Sequence, residues 1–298
     1  PQATAPPPAP VEPKPQRPDY EIGAMFPLSG STMTIGAAAR NGMELAILEI
    51  NRSSSPFRIE ATFQDSTNDV ADATAIMKRL CTYDKVPLVV GEAMNHMSQA
   101  LAPIANSNET VLISPISSGT ELTDAGDFFF RTCVSDAVPA RLLAEWMREL
   151  GVQSVGIIFV NNPWGVASKD LFAAEFAKLG GTVTAVEGSL LEDEDVTPQL
   201  TSVLASKCDA IYLPTMAVQG ARIVQQIKSM EAGHTLIFGS VEHDDPLFRN
   251  LAGPSAEGVY LLRPHSFAGP TCDDFRNRYI QKYDQMPAWP AFYAYDTV

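Results

Sequence analysis

Signatures of the common catalytic sites are missing from this sequence of 298 residues. It contains no GxGxxG or GxxxxGKS/T motif, and so lacks the glycine-rich loops that hold nucleotide phosphates. It also contains no GxSxG nucleophile elbow and no HExxH zinc-binding pair. We therefore predict that the protein is not an enzyme and needs no cofactor and no metal.

Cysteine is scarce. The four cysteines are far apart and form no CxxC pair, so a zinc site is not predicted; they are Cys81, Cys133, Cys208 and Cys272. Buried free thiols are the simplest interpretation. An oxidising compartment would permit one or two bridges, with Cys81 to Cys133 conceivable, but the spacing does not determine connectivity.

Basic residues are also few, with 21 Lys and Arg against 35 Asp and Glu, which gives a net charge of −14. This surplus of acid argues against a nucleic-acid partner. No apolar run approaches the roughly 20 residues that a membrane-spanning helix needs. The first residues lack the charged-then-apolar pattern of a signal peptide, so we expect any targeting segment to have been removed already.

The first 19 residues are dominated by proline, which supplies no backbone N–H and restricts φ. We therefore predict an extended tether of polyproline character over residues 1–19. It could be a spacer that holds the protein away from an anchor such as a lipidated N-terminus, or a leader without a role. We favour the spacer, and membrane contact is expected only through such an anchor.

From Tyr20 onward, predicted strands alternate with predicted helices. Short apolar runs predict strands over residues 20–26, 58–64, 87–90, 111–113, 128–132, 154–160, 182–186, 209–213, 235–238 and 258–262. Apolar stripes at helical spacing predict helices over residues 35–51, 70–83, 98–107, 135–150, 165–179, 197–206, 218–230, 272–283 and 290–298. The alternation predicts parallel sheets with right-handed crossovers. Because the chain exceeds the usual size of one core, we predict an α/β fold of two doubly wound lobes.

The stretch from Val111 to Thr123 ends an apolar strand in a turn with two hydroxyl residues, Ser117 and Ser118. Open α/β sheets bind ligands just beyond the carboxyl ends of such strands. Ser117 and Ser118 are therefore predicted to lie where a small molecule binds.

Two other polar features need an interpretation. Residues 242–245 read Glu-His-Asp-Asp, but four adjacent side chains cannot all converge on one ion, so we predict a solvated loop with one carboxylate facing a ligand. His96 could be a proton carrier, but a hydrogen-bonding residue on a loop is the commoner outcome.

Several short stretches, taken in order, carry a resemblance that extends from Tyr20 to Val298. They include Pro27-Leu28-Ser29-Gly30, Val89-Val90-Gly91, Ile113-Ser114-Pro115, Glu121-Leu122-Thr123-Asp124, Asn162 to Gly165, and Ala256-Glu257-Gly258-Val259-Tyr260. Together they resemble the periplasmic solute-binding proteins of type I fold that serve ABC importers of branched-chain amino acids. The specificity of this resemblance lies in the number and order of its parts.

The resemblance implies two lobes that close on a ligand about a hinge. The first lobe would comprise residues 20–135 and 264–298, and the second residues 136–263, with crossings near 135–136 and 262–265. A further strand and crossing would follow Val298. It also implies a periplasmic or other extracytoplasmic location, possible lipid anchoring, and ABC permease subunits as partners.

The resemblance also implies a binding site for an amino acid. Its carboxylate would be bound by Asn95, Ser117 and Ser118. Its ammonium group would be bound by Asp136 and by Glu242, although the simplest alignment places Val241 at the family's acidic position. If Val241 faces the ligand, a carboxylic acid without an amine is favoured, because a buried unpaired ammonium is costly.

The apolar side of the implied site is formed by residues that stand where the family often has tyrosine. Trp164 and Met216 belong to the second lobe, and Ile35 to the first. Each has a structural alternative, since Trp164 could cap a helix and the other two could be core. Thr32 and Met33 are weaker candidates on the same loop as Ile35.

We therefore predict an extracytoplasmic protein that captures a small carboxylate-bearing ligand, with an amino acid as the first choice, for an ABC importer. The alternative is a bilobed sensor or cell-envelope assembly module that binds a protein partner or a non-amino carboxylic acid.

Overall fold

The computed structural model describes residues 17–230, 235–262 and 269–298, in which two five-stranded parallel sheets are formed. The first sheet has the order β2-β1-β3-β4-β5, and its strands are β1 (Asp19–Phe26), β2 (Arg58–Asp65), β3 (Leu88–Gly91), β4 (Val111–Ser114) and β5 (Phe129–Arg131). The second has the order β10-β9-β8-β6-β7, and its strands are β6 (Ser154–Val160), β7 (Thr182–Ser189), β8 (Ala210–Leu213), β9 (Leu236–Gly239) and β10 (Val259–Leu261). Each sheet with its flanking helices is called a lobe below.

Nine of the ten helices of the described residues lie close to the predicted positions, whereas the short helix Pro246–Ala252 was not predicted. The helices are α1 (Met33–Arg52), α2 (Val70–Arg79), α3 (Asn95–Ser107), α4 (Ala137–Glu149), α5 (Pro163–Lys178), α6 (Thr197–Ala205), α7 (Ala217–Ser229), α8 (Pro246–Ala252), α9 (Pro270–Tyr283) and α10 (Trp289–Asp296). Among them, none is long and apolar enough to cross a bilayer. The predicted loop position of His96 is wrong, because α3 begins at Asn95 and places His96, exposed, in its first turn.

The central strands are buried on both faces. All four residues of β8 are buried, as expected for a strand covered by helices on both sides. The outer strand β7 instead alternates exposed and half-buried residues along most of its length. This contrast explains why short apolar runs in the sequence identified the central strands.

Each sheet packs a separate hydrophobic cluster against each of its faces. In the first lobe, Met77 and Leu101 belong to one cluster, and Phe26 and Met43 to the other. In the second lobe, Val224 and Phe248 lie on one side and Leu143 and Phe172 on the other. Helices thus cover both faces of both sheets, as predicted for a doubly wound fold.

The last two helices pack on α1 of the first lobe. Phe275 and Phe292 form a cluster with Leu45, and Gly42 permits the close approach, because an added Cβ there would lie 2.1 Å from the Ala291 carbonyl oxygen. The exact lobe boundaries stay predictions. The second predicted crossing lies largely outside the described residues, as does nearly all of the predicted tether.

The four cysteines are free in the structure. Cys81 and Cys208 are buried, and Cys133 and Cys272 are half-buried. The Cys81 to Cys133 bridge that the sequence permitted is therefore not formed. Burial raises the pKa of the Cys133 thiol to about 12, although nearby Arg131 acts in the opposite direction.

Phe172 gives a direct test of the second-lobe core. It is fully buried and contacts Tyr212 and Phe176 at ring-centroid distances of 4.6 Å and 5.3 Å. We expect Phe172→Ala to lower the free energy of unfolding by about 3 to 5 kcal/mol, measured by urea denaturation. Phe130→Ala is the control, since that ring is 51% exposed on an edge strand, and equal losses in the two variants would contradict the packing described here.

Candidate functional site

The strand order creates one crevice at the carboxyl edge of each sheet. In the order 2-1-3-4-5, the connections on either side of the first strand lead to opposite faces of the sheet, and ligands bind in the gap between them. The first-lobe gap lies between β1 and β3, and the second-lobe gap lies between the equivalent strands β6 and β8. The loops that follow β1, β3 and β4 are called the first edge below, and those that follow β6, β8 and β9 the second edge.

Ser117 lies beneath the surface of the first edge. Its side chain is fully buried, and its hydroxyl lies 2.7 Å from the Ser98 hydroxyl and donates to the Glu92 carbonyl over 3.0 Å. Its backbone N–H donates to the Ser114 hydroxyl over 2.9 Å. Ser117 therefore uses its polar groups inside the fold, and its predicted contact with a ligand stays a prediction.

Ser118 and Asn95 join the two loops of the first edge to each other and to α4. Asn95 accepts a hydrogen bond from the Gly119 N–H over 3.0 Å. The Ser118 carbonyl accepts from the Asp136 N–H over 2.9 Å, and the Ser118 side chain is hydrogen-bonded to the Asp136 carboxylate. Three of the predicted ligand residues are thus brought together at one place.

Asp136 carries an unusual carboxylate. One of its oxygens, Oδ2, is buried and has no hydrogen-bond partner among the described residues. Burial raises the pKa of the Asp136 carboxyl to about 6; the bond from Ser118 and the charge of Arg131 act against this rise, and Glu121 adds to it. A buried carboxylate oxygen without a partner is costly unless a further donor meets it.

The prediction of a solvated loop over residues 242–245 is wrong. Residues Val241–Asp244 form a 3-10 turn after β9, and His243 is fully buried in it. The His243 Nε2 lies 2.9 Å from the Thr215 hydroxyl, and its ring stacks on Phe248 with 4.6 Å between centroids. Burial lowers the pKa of His243 to about 3.

The space for the His243 ring is provided by two glycines. An added Cβ at Gly220 would lie 2.0 Å from Nε2, and one at Gly239 would lie 2.3 Å from Nδ1. The imidazole therefore fixes the turn in the body of the lobe. Residues 242–245 are therefore not a solvated loop, because the buried His243 side chain holds them against the lobe.

Glu242 is directed toward the first lobe. Burial raises the pKa of its carboxyl to about 7, while a hydrogen bond from the Trp289 side chain lowers it and the charges of Asp245 and Asp136 raise it. Trp289 is the first residue of α10, which packs on the first lobe. The charge of Asp136, at the start of α4, thus acts on Glu242, so the two acids lie near each other in space.

The apolar candidates of the second edge lie at the starts of two helices. Trp164 is half-buried in the first turn of α5, which is capped by an Asn162 side chain that accepts from the Gly165 N–H over 2.8 Å. Met216 is half-buried and extended immediately before α7. Val241 is half-buried at the start of the 3-10 turn, so this edge presents apolar surface beside Glu242.

The first-lobe candidates near α1 differ from one another. Ile35 packs partly on the first-lobe core, and Met33 is 48% exposed. The Thr32 hydroxyl is buried and lacks a hydrogen-bond partner among the described residues, so it is the stronger ligand candidate of the three.

Glu92 was not predicted as a site residue, although it is the most highly connected polar residue of the first edge. It is fully buried directly after β3. The signal in the sequence was a glutamate that immediately follows Val-Val-Gly, where a charged side chain is unexpected beside a buried strand. Within the described ranges, no group of histidine, cysteine and acidic side chains is arranged to hold a metal ion.

The sequence profile of the periplasmic binding protein family matches residues 19–298, and the chain belongs to that family. It is 22% identical over 246 residues to the Leu/Ile/Val-binding protein homolog 3 of Brucella melitensis, a match that covers 81% of this chain and 66% of the relative. The chain thus spans just under two thirds of the length of that relative. The predicted family is confirmed.

Solved structures of the family share the fold. The branched-chain amino acid transporter substrate binding protein LivJ from Streptococcus pneumoniae, in complex with isoleucine, superposes with a TM-score of 0.82 and 26% identity, covering 93% of this chain and 81% of that chain. A solute binding protein of an ABC transporter from Rhodopseudomonas palustris, in complex with 3,4-dihydroxy benzoic acid, gives a TM-score of 0.83 at 20% identity, with 93% and 78% covered. The predicted α/β fold class is confirmed.

Proposed function

We propose that this protein is an extracytoplasmic binding protein that captures an amino acid with an apolar side chain between its lobes and delivers it to an ABC importer. Membership of the family and the names of its relatives support the general role. The choice of an amino acid depends on the acids that face the space between the lobes.

The observation that carries this choice is the buried, unpartnered Oδ2 of Asp136. A second carboxyl, that of Glu242, lies near enough to Asp136 that the charge of Asp136 raises the pKa of Glu242. Two acids that face the same space repel each other, and an ammonium group between them would relieve both the repulsion and the missing hydrogen bond. The ligand should therefore carry a positive group.

The carboxylate of the same ligand would lie against the first edge. The loop after β4 and the start of α3 meet there, and hydroxyl and backbone N–H donors suit an anion. Thr32 supplies a hydroxyl at this edge and Asn95 an amide nitrogen, whereas the Ser118 hydroxyl is bonded to Asp136 and orients that carboxylate. On the opposite side, Trp164 and Met216 provide apolar surface for an aliphatic side chain.

The second candidate is a carboxylic acid without an amine, and one observation favours it. Val241 stands where the family's acid is expected, and an aromatic acid is bound by the structural neighbour from Rhodopseudomonas palustris. Such a ligand would leave Asp136 and Glu242 without a counter-charge, and for this reason we rank it second.

Isothermal titration with three ligands separates these candidates. We expect leucine to bind, and 4-methylpentanoate, which is leucine without its amine, to bind about 100-fold more weakly, since a charge-assisted hydrogen bond contributes about 1.5 to 3 kcal/mol. Benzoate should also bind weakly. Tighter binding of benzoate or 4-methylpentanoate than of leucine would favour the second candidate, and no binding of any of the three would count against both.

A further inference from the structure

Glu92 joins the ends of three neighbouring strands. Its carboxylate accepts hydrogen bonds from the Ser66 hydroxyl over 2.5 Å, from the Ala93 N–H over 2.8 Å and from the Met94 N–H over 3.3 Å. Ser66 follows β2, and its own N–H donates to the Phe26 carbonyl at the end of β1 over 3.0 Å. The side chain of one residue thus fixes the ends of β2 and β3 to each other.

The backbone of Glu92 extends this connection to β4. Its carbonyl oxygen accepts from the Ser114 hydroxyl over 2.5 Å and from the Ser117 hydroxyl over 3.0 Å. Asn95 lies one residue beyond Met94, and Ser118 lies one residue beyond Ser117. The hydrogen bonds of Glu92 therefore end immediately next to two residues that the proposed site uses.

A buried carboxyl at this position is costly for stability. Burial raises the pKa of Glu92, and the charge of nearby Asp65 also raises it, while the bonds from Ser66, Ala93 and Met94 act in the opposite direction. An apolar side chain would fill the same volume without a polar group to satisfy. The hydrogen bonds that Glu92 makes within the first edge are what such a side chain could not supply.

We propose that Glu92 is a positioning residue, which holds the loops after β3 and β4 through hydrogen bonds in the arrangement that receives the ligand. This inference rests on the proposed function, because it concerns the same site. Glu92 itself does not contact the ligand, and it acts through Asn95 and Ser118.

Two substitutions at Glu92 separate hydrogen bonding from charge. In Glu92→Gln, the amide oxygen can accept from the Ala93 and Met94 N–H groups, and the amide nitrogen can face the Ser66 hydroxyl, which accepts as well as donates. In Glu92→Ala, all three side-chain bonds are lost. We expect leucine affinity, measured by titration calorimetry well below the unfolding temperature, to fall about 10-fold or more in the alanine variant and to change less than about threefold in the glutamine variant.

Asn106 provides a matched control in the same lobe. Its side chain also makes three hydrogen bonds, to the Ala102 carbonyl over 2.7 Å, to the Ala125 carbonyl over 2.8 Å and from the Phe128 N–H over 3.0 Å. These bonds lie before β5, at the opposite end of the sheet. Asn106→Ala should lower the unfolding temperature without changing leucine affinity.

Backbone hydrogen exchange in the ligand-free protein gives a readout that does not depend on binding. Exchange in residues 93–98 and 116–119 should be faster in Glu92→Ala than in wild type, and exchange in the same residues should be unchanged in Asn106→Ala. The proposal is overturned if Glu92→Ala binds leucine as wild type does, if Glu92→Gln is as impaired as Glu92→Ala, or if exchange in these segments is unaltered. If wild type binds no leucine but the exchange differs as expected, the proposed function fails and the positioning of the loops stands.

Discussion

Asp136→Asn is expected to weaken leucine binding by about 10- to 100-fold while leaving the ligand-free protein at least as stable as wild type. Asparagine keeps the size of the side chain and removes the negative charge that an ammonium group would meet. In the ligand-free protein, the same change removes a charge whose burial is unfavourable, as the raised pKa of the Asp136 carboxyl shows. Affinity and stability should therefore change in opposite directions, which calorimetric titration and thermal unfolding would measure.

Asp127→Asn is the control for this experiment. Asp127 is an exposed acid of the first lobe, located just before β5. Its replacement removes one negative charge from the protein without touching the space between the lobes, so affinity should be unchanged. If Asp136→Asn binds leucine as tightly as wild type, Asp136 does not contact the ammonium group, and the main support for an amino-acid ligand is lost.

The buried His243 should make the second lobe sensitive to acid. The folded protein keeps this imidazole neutral down to about pH 3, whereas an unfolded histidine takes up a proton below its ordinary pKa of 6.5. Unfolding therefore takes up a proton between these values, and stability falls as the pH falls through this window. Between about pH 6.5 and 4.5, the loss due to His243 should be about 2 to 3 kcal/mol.

Comparison with His243→Gln isolates this contribution. The raised pKa values of Asp136 and Glu242 have the opposite effect, because these carboxyls take up protons in the folded state first, but they do so in both proteins. Urea denaturation at several pH values should show wild type losing stability relative to His243→Gln as the pH is lowered. His96→Gln, at an exposed position whose pKa is lowered only by partial burial, should retain most of the wild-type pH dependence. Parallel curves for wild type and His243→Gln would contradict the neutral buried state.

Most strands and helices could be predicted from the sequence because each is determined by a local pattern of apolar residues. The run at β8 is apolar throughout, since helices cover the strand on both faces, and the stripe of α4 recurs at helical spacing for the same reason. The predicted start of α3, at residue 98, lies three residues after its start in the structure, Asn95. An extended Met94 precedes it without a side-chain cap, so nothing in the sequence marked the boundary.

The candidate site could be predicted from the sequence only in part. Its location at the carboxyl edge of the sheets follows from strand order, and Asn95, Ser118 and Asp136 do meet there. Ser117 and Ser118 were predicted to contact the ligand together; Ser117 is buried and Ser118 half-buried, a difference between adjacent residues that the sequence did not indicate, and the contact of each with a ligand stays a prediction.

The sequence by itself determined the fold class and the family, and it predicted the edge at which we propose that a ligand binds, because these follow from hydrophobic periodicity and from motifs in their order. Only the tertiary structure decided which polar side chains are available to a ligand. Glu92 and His243 are buried among residues distant in sequence, Ser66 and Ser114 in one case and Thr215 and Gly220 in the other. Asp136 and Glu242 acquire their mutual influence in the same way, since burial and the electrostatic field of a group depend on all its neighbours in space.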